Sequence, residues 1–239
     1  MKRINIFRYF SITEWCLWAG SVTLILLSFL IFDRSDGLTL TASLLGVTSL
    51  IFCAKGNPVG QALMIVFSLL YGIISYRFSY YGEMITYLGM TAPMAIFALI
   101  SWLRHPYRGN RAQVEVNGLS RREILWLIPL TAAVTVLFYF ILAYFGTQNL
   151  IPSTLSVTTS FVAVYLTFRR SPWFAAAYAA NDLVLILLWV LAAGSDRSFV
   201  SVAVCFVVFL VNDLYGFFRW RVMQKQQREH GSGKTHRMD

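Results

Sequence analysis

Apolar residues fall into eight long runs separated by short polar gaps: Trp15 to Phe32, Leu38 to Ala54, Val59 to Tyr76, Met84 to Leu103, Ile124 to Phe145, Ser153 to Phe168, Trp173 to Ala193 and Phe199 to Phe218. Each is near the roughly 20 residues that carry a helix across about 30 Å of hydrocarbon. The alternating runs of about ten residues that mark a membrane barrel are absent, and helices are the other way to satisfy a backbone in lipid. The pattern predicts an all-α polytopic membrane protein with eight spans.

Charge sets an orientation on those spans. One alternate set of gaps holds Lys2, Arg3, Arg8, Lys55, Arg104, Arg108, Arg111, Arg121, Arg122, Arg169, Arg170, Arg219, Arg221, Lys225, Arg228, Lys234 and Arg237, and the other holds only Arg34, Arg77 and Arg197. Short loops rich in Lys and Arg stay cytoplasmic, so both termini are expected there. Composition agrees: 57% of the residues are hydrophobic and 13% charged, too few polar groups to cover a soluble globule. The net charge of +9 sits at membrane edges and in the tail, which suits anionic lipid headgroups and the bilayer as partner rather than nucleic acid.

Spans two to four echo spans six to eight. Leu45-Gly46-Val47-Thr48-Ser49 resembles Leu155-Ser156-Val157-Thr158-Thr159, and Lys55-Gly56-Asn57-Pro58 matches Arg169-Arg170-Ser171-Pro172 in the turn that follows. The third span of each copy ends on Trp102-Leu103-Arg104 or Arg219-Trp220-Arg221. An odd number of intervening spans makes these parallel repeats. The expected divisions are 1–37, an N-terminus and extra span; 38–103, the first three-helix repeat; 104–152, a cytoplasmic loop and linker span; 153–221, the second repeat; and 222–239, a tail with a short helical extension that frays to disorder. Span one is expected to be retained, because no small-residue cleavage site follows Phe32. The mid-span Pro93 is expected to kink span four.

Polar side chains at membrane depth cost about 2.5–3.5 kcal/mol when charged, which makes them functional candidates. Asn181-Asp182 in span seven and Asn212-Asp213 in span eight reach nearly the same depth in antiparallel neighbours. Trp189 lies eight residues from Asn181, within roughly 80° of the same face, and Tyr178 one turn below Asp182, an aromatic wall beside carboxylates. Gln61, Thr86, Tyr87 and Thr91 are the counterparts in the first repeat. The predicted substrate-binding set is Gln61, Thr91, Tyr178, Asn181, Asp182, Trp189, Asn212 and Asp213. Glu83 and Tyr80-Tyr81-Gly82 read as a hydrated helix start with an aromatic belt.

Other chemistries find little support. Cys16, Cys53 and Cys205 lie within spans and imply no disulfide, and His105, His230 and His236 lack the spacing of a metal site. Gly231-Ser232-Gly233-Lys234 lacks the strand and spacing of a phosphate loop, so no cofactor and no nucleotide-hydrolysing motor is expected. Asp182 and Asp213 as paired acids of an intramembrane aspartyl enzyme form the remote alternative.

Tyr81-Gly82-Glu83-Met84, Pro93-Met94, Ser101-Trp102-Leu103-Arg104-His105-Pro106, Asn181-Asp182 with Trp189, and Asn212-Asp213-Leu214-Tyr215-Gly216-Phe217 leading to Trp220 together resemble the PnuC family of nicotinamide riboside transporters, often labelled nicotinamide mononucleotide transporters. The resemblance runs from about Ser43 to Arg221. It implies a SWEET-like fold of parallel three-helix bundles joined by a linker helix, a homotrimer in the bacterial inner membrane, and facilitated diffusion of nicotinamide riboside trapped by cytoplasmic phosphorylation. Relatives carry thiamine or deoxyribonucleosides, the alternative substrates. The chain departs from the family at Trp173-Phe174-Ala175-Ala176, which keeps one Trp of a W-x-x-W pair, so the resemblance hands base stacking to Tyr178 or Trp189.

Overall fold

The computed structural model describes residues 9–34, 36–78, 80–147 and 149–235, the last five by backbone alone. Among them are eight helices long and apolar enough to cross a membrane: α1 Ile12–Phe32, α2 Gly37–Ala54, α3 Pro58–Arg77, α4 Tyr81–Arg104, α5 Arg121–Tyr144, α6 Leu150–Phe168, α7 Phe174–Ala193 and α8 Phe199–Thr235. The protein is a polytopic all-α membrane protein, and each expected span is a helix that begins and ends within about three residues of its predicted limits, except that α8 runs on well beyond Phe218.

Six helices close a ring. Along the chain α2 packs on α3 and α3 on α4, α6 on α7 and α7 on α8; across the two sets α4 packs on α6 and α8 on α2. The third helix of each set therefore meets the first helix of the other. Outside the ring, α1 lies on the α2 and α8 seam, and α5 lies on α6 and the start of α4. Most of α5 faces outward, with Leu142 its one buried side chain and Leu125, Trp126, Ile128, Val136 and Phe140 exposed, an apolar surface suited to lipid or to another apolar face.

The helices outside the ring begin alike. Ser11 and Glu14 form a reciprocal capping box at the start of α1, and Ser120 and Glu123 form one at the start of α5, each satisfying two orphan N–H groups. Glu14 then pairs with Lys55 (3.0 Å), and Glu123 with Arg169, the residues that open the two corresponding turns. The extra first span is thus the counterpart of the linker span, and the chain reads as two halves of four helices, a correspondence beyond the three-helix echo.

These turns, the starts of α1 and α5 and the exit of α8 share the end of the molecule rich in Lys and Arg, called here the basic end. The interval between α4 and α5, expected as a plain loop, carries a small antiparallel hairpin of β1 Pro106–Tyr107 and β2 Asn110–Val114. The segment leaving the hairpin crosses both halves. Val114 N–H donates to the Gly56 carbonyl (2.9 Å) and Asn117 N–H to the Arg170 carbonyl (3.0 Å). Gly56 and Arg170 are equivalent in the echo, and both have the left-handed backbone (φ 67° and 58°) that ends a helix and turns its carbonyls outward.

The helical extension expected after Arg221 is longer than a short one: α8 continues through Thr235. Gln227 accepts from Val116 N–H (2.8 Å) and donates to the Val114 carbonyl (3.1 Å), so tertiary contact supports helix where composition alone suggests disorder. Residues 236–239 lie outside the described residues.

Span four accommodates Pro93 through a π turn at Tyr87–Thr91, in which Ala92 N–H reaches the Tyr87 carbonyl. A proline interrupts the ladder and crowds the carbonyl four residues back, and a widened turn there relieves it. Opposite, Gly72 lets α3 approach closely: a Cβ would sit 2.5 Å from Leu88 Cγ.

Candidate functional site

Every helix of the ring contributes to a central cavity. Leu50 comes from α2, Met64 and Phe67 from α3, Tyr87 and Thr91 from the π turn of α4, Ser160 from α6, Tyr178, Asn181 and Asp182 from α7, and Phe206, Phe209 and Asp213 from α8. Its volume is about 30 Å³, room for little more than a water molecule. The ring is drawn tightly around its polar centre.

The second half supplies the charge. Asp182 and Asp213, one from each of two adjacent helices, both line this small cavity and act on each other's charge, and among the described residues Asp182 Oδ2 has no hydrogen-bond partner. Two ionised carboxylates facing each other away from water repel strongly unless a cation or a proton lies between them. Asn181 is fixed beside them. Its Oδ1 accepts from Thr159 Oγ1 (2.8 Å) and Ser160 Oγ (3.0 Å), so hydroxyls from α6 decide which way the amide faces and leave its NH2 group to donate. From the first half come Phe67 and Tyr87 with centroids 6.0 Å apart, an edge-to-face pair.

Of the eight predicted residues, five meet here: Thr91, Tyr178, Asn181, Asp182 and Asp213. Three lie elsewhere. Trp189 is two turns along α7 from Asn181, about 12 Å by helical rise, and packs against Tyr80 (5.0 Å) and Phe199 (5.3 Å) at the opposite end. Asn212 is rotated about 100° from Asp213. It donates to Ser21 Oγ (2.9 Å), tying α8 to α1. Gln61 sits in the first turns of α3 and donates to the Cys53 thiol (3.2 Å), below the cavity. Sequence reasoning passed over Ser160, Thr159, Met64, Phe67, Phe206 and Phe209. The Thr158-Thr159-Ser160 run at membrane depth was the available signal for the hydroxyls, whereas nothing distinguishes the lining rings from other core rings.

Both ends of the cavity are closed. At the basic end, Trp102 Nε1–H donates to the Thr167 carbonyl (2.9 Å), and Trp220 Nε1–H donates to the Cys53 carbonyl (2.8 Å). The echo pairs Trp102 with Trp220 and Cys53 with Thr167, so each half reaches into the other by the same bond. The indoles meet at 5.3 Å. At the opposite end, Tyr71, Tyr80, Tyr87, Trp189 and Phe199 pack ring on ring, with Tyr71 and Tyr87 only 4.3 Å apart. Glu83, read as a hydrated helix start, is instead buried.

The sequence profile of the family described as Nicotinamide mononucleotide transporter matches residues 36–222. The nicotinamide riboside transporter PnuC of Neisseria mucosa is 25% identical over 202 residues, spanning 82% of this chain and 76% of that protein. The crystal structure of the vitamin B3 transporter PnuC superposes with a TM-score of 0.80 at 22% sequence identity, covering 91% of this chain and 94% of that one, which establishes a shared fold.

Proposed function

The chain belongs to the nicotinamide mononucleotide transporter family, and on that premise we propose that it takes up nicotinamide riboside by facilitated diffusion. The observation that carries this reading is the Asp182 and Asp213 pair in a cavity otherwise walled largely by rings and apolar side chains. Nicotinamide riboside joins a cationic pyridinium to a hydroxyl-rich ribose. The pyridinium relieves the repulsion between the carboxylates and stacks on Tyr178, Tyr87 or Phe67, while Asn181 NH2, Thr91 and Ser160 serve the amide and ribose. A cavity of about 30 Å³ must widen to admit a nucleoside, so the six-helix ring opens at one closure at a time.

In this reading the basic end is cytoplasmic, the aromatic closure faces outside, and phosphorylation within the cell traps the product. Three copies associate through outward apolar faces such as that of α5. Aspartyl hydrolysis would also use paired carboxyls, but the named relatives are transporters, and uptake of intact substrate separates the two.

The test is a binding and uptake panel with nicotinamide riboside, thiamine, deoxyribonucleosides and the phosphorylated mononucleotide. Nicotinamide riboside should equilibrate across proteoliposomes without an ion gradient. Asp213→Asn should weaken cationic ligands and spare neutral nucleosides. Asn181→Ala should lower affinity by about five- to 150-fold, as loss of about 1–3 kcal/mol of hydrogen bonding implies, with thermal stability kept. Sustained accumulation driven by protons or sodium, with no trapping enzyme present, would refute diffusion. Normal binding by an unstable Asn181→Ala would make the residue structural.

A further inference from the structure

A second cavity, of about 280 Å³, opens at the basic end, well away from the central one. It lies among the hairpin, the turn after α2 and the exit of α8, and its polar walls come from Tyr9, Lys55, Asn110, Gln113, Arg219 and Gln226. No carboxylate lines it among the described residues. Two cations face one acid nearby: Glu14 lies behind the wall, fully buried, taking Lys55 Nζ at 3.0 Å, Arg219 Nε at 3.8 Å and the Tyr215 hydroxyl at 3.2 Å. Among the described residues one positive charge remains uncompensated.

The donors are not used up. An ammonium has three N–H groups and a guanidinium five, and the contact with Glu14 engages only one nitrogen of Arg219, whose side chain is 45% exposed. Lys55, 16% exposed, is held in place by Glu14 and by the Tyr9 ring, 4.9 Å from its ammonium. A rigid lysine, a half-exposed guanidinium with N–H groups to spare and side-chain amides around an open volume match the acceptor-rich, multiply charged oxygens of a phosphate. Arg221 and Arg228 on the same helix add a positive field that favours anions approaching this end, whereas Lys225 lies outside the cavity and is paired with Glu229 (3.9 Å).

We propose that this cavity is a binding site for a phosphate-bearing anion, which on binding clamps the hairpin to α8 and to the first-half turn. The parts it would bridge are those already joined by the Val114 to Gly56 bond and by Gln227, so occupancy stabilises the closed basic end. The ligand chemistry has two sources, a free phosphorylated small molecule or a phospholipid headgroup at the membrane edge. The site does not depend on which substrate the central cavity carries.

Thermal unfolding of the purified full-length protein in detergent tests this. Pyrophosphate and adenosine monophosphate are added at fixed ionic strength in one arm. Phosphatidylglycerol, against phosphatidylcholine, is added as mixed micelles in the other. The wild type should gain several degrees at saturating ligand in at least one arm, and the arm that responds identifies the source. Gln226→Glu and Gln113→Glu, which place a carboxylate in the wall without touching the partners of Glu14, should abolish the gain while unfolding normally without ligand. Lys225→Gln, outside the cavity, should keep it. No gain in either arm, an equal gain in the Glu variants, or an equal loss in Lys225→Gln would overturn the site in favour of general surface charge.

Discussion

The two ends of the central cavity are closed by different physics. At the basic end the closure is directional and duplicated: Trp102 and Trp220 each donate to a backbone carbonyl of the other half, and residues 114–117 bond both turns. At the opposite end the closure is a stack of rings in which polar atoms go unused. Among the described residues Tyr71 Oη, Glu83 Oε2 and Trp189 Nε1 are buried there with no hydrogen-bond partner of good geometry, although the Trp189 indole lies near enough to the Tyr71 hydroxyl to act on it. Directional bonds resist small displacements, whereas ring contacts slide among offset and edge-on arrangements of similar energy. The difference teaches that the basic end is the latched side of this conformation, and it predicts that the aromatic end yields first.

The sharpest way to break that comparison is to remove a latch. Trp220 is fully buried between Trp102 and Phe174, so Trp220→Ala should cost about 3–5 kcal/mol, read as a lower unfolding temperature in detergent. Trp220→Phe keeps a ring but loses the N–H and should cost about 1–3 kcal/mol. Because the contacts are reciprocal, Trp102→Phe should cost the same within about 0.5 kcal/mol. If the phenylalanine variants match wild type while the alanine does not, packing and not the bond holds this end, and the contrast between the ends disappears.

Much of this arrangement was readable in the chain, and the exceptions have physical reasons. The spans were legible because lipid tolerates nothing else over so many apolar residues, and Trp102 and Trp220 already stood at matching places in the echo. The match of α1 with α5 went unread, although Ser11-x-x-Glu14 and Ser120-x-x-Glu123 state it in capping residues. At the site, the cost of burial singled out Asn181, Asp182 and Asp213, but not how each helix is rotated. That rotation follows from packing, and it sends Asn212 to Ser21 rather than to the cavity. The hairpin and the helical tail depend on each other through Gln227, and neither has a strong signal alone.

The pairing of hairpin and tail offers a gentler cut at the latched end. Gln227→Ala removes two bonds to the segment after the hairpin and should cost about 1 kcal/mol, since water replaces part of what is lost at this half-buried site. Amide exchange at Val114 and Val116 should quicken while exchange within α3 and α7 stays unchanged. Faster exchange throughout the ring would show the strap to be part of the global fold rather than a local latch.

The smallest expected effect is the most discriminating. Tyr71→Phe deletes a buried hydroxyl with no well-formed hydrogen bond among the described residues, so little is lost but a poorly satisfied polar atom, and the ring keeps its contacts with Phe67, Tyr87 and Trp189. Stability should change by less than about 0.5 kcal/mol or rise slightly, in contrast with the N–H deletions at the other end. Should this hydroxyl bond to substrate or to Glu83 in an open state, the same variant would slow uptake at unchanged stability. A cost equal to that of Trp102→Phe would mean that the aromatic end is latched as well, and the molecule would then have no side that yields first.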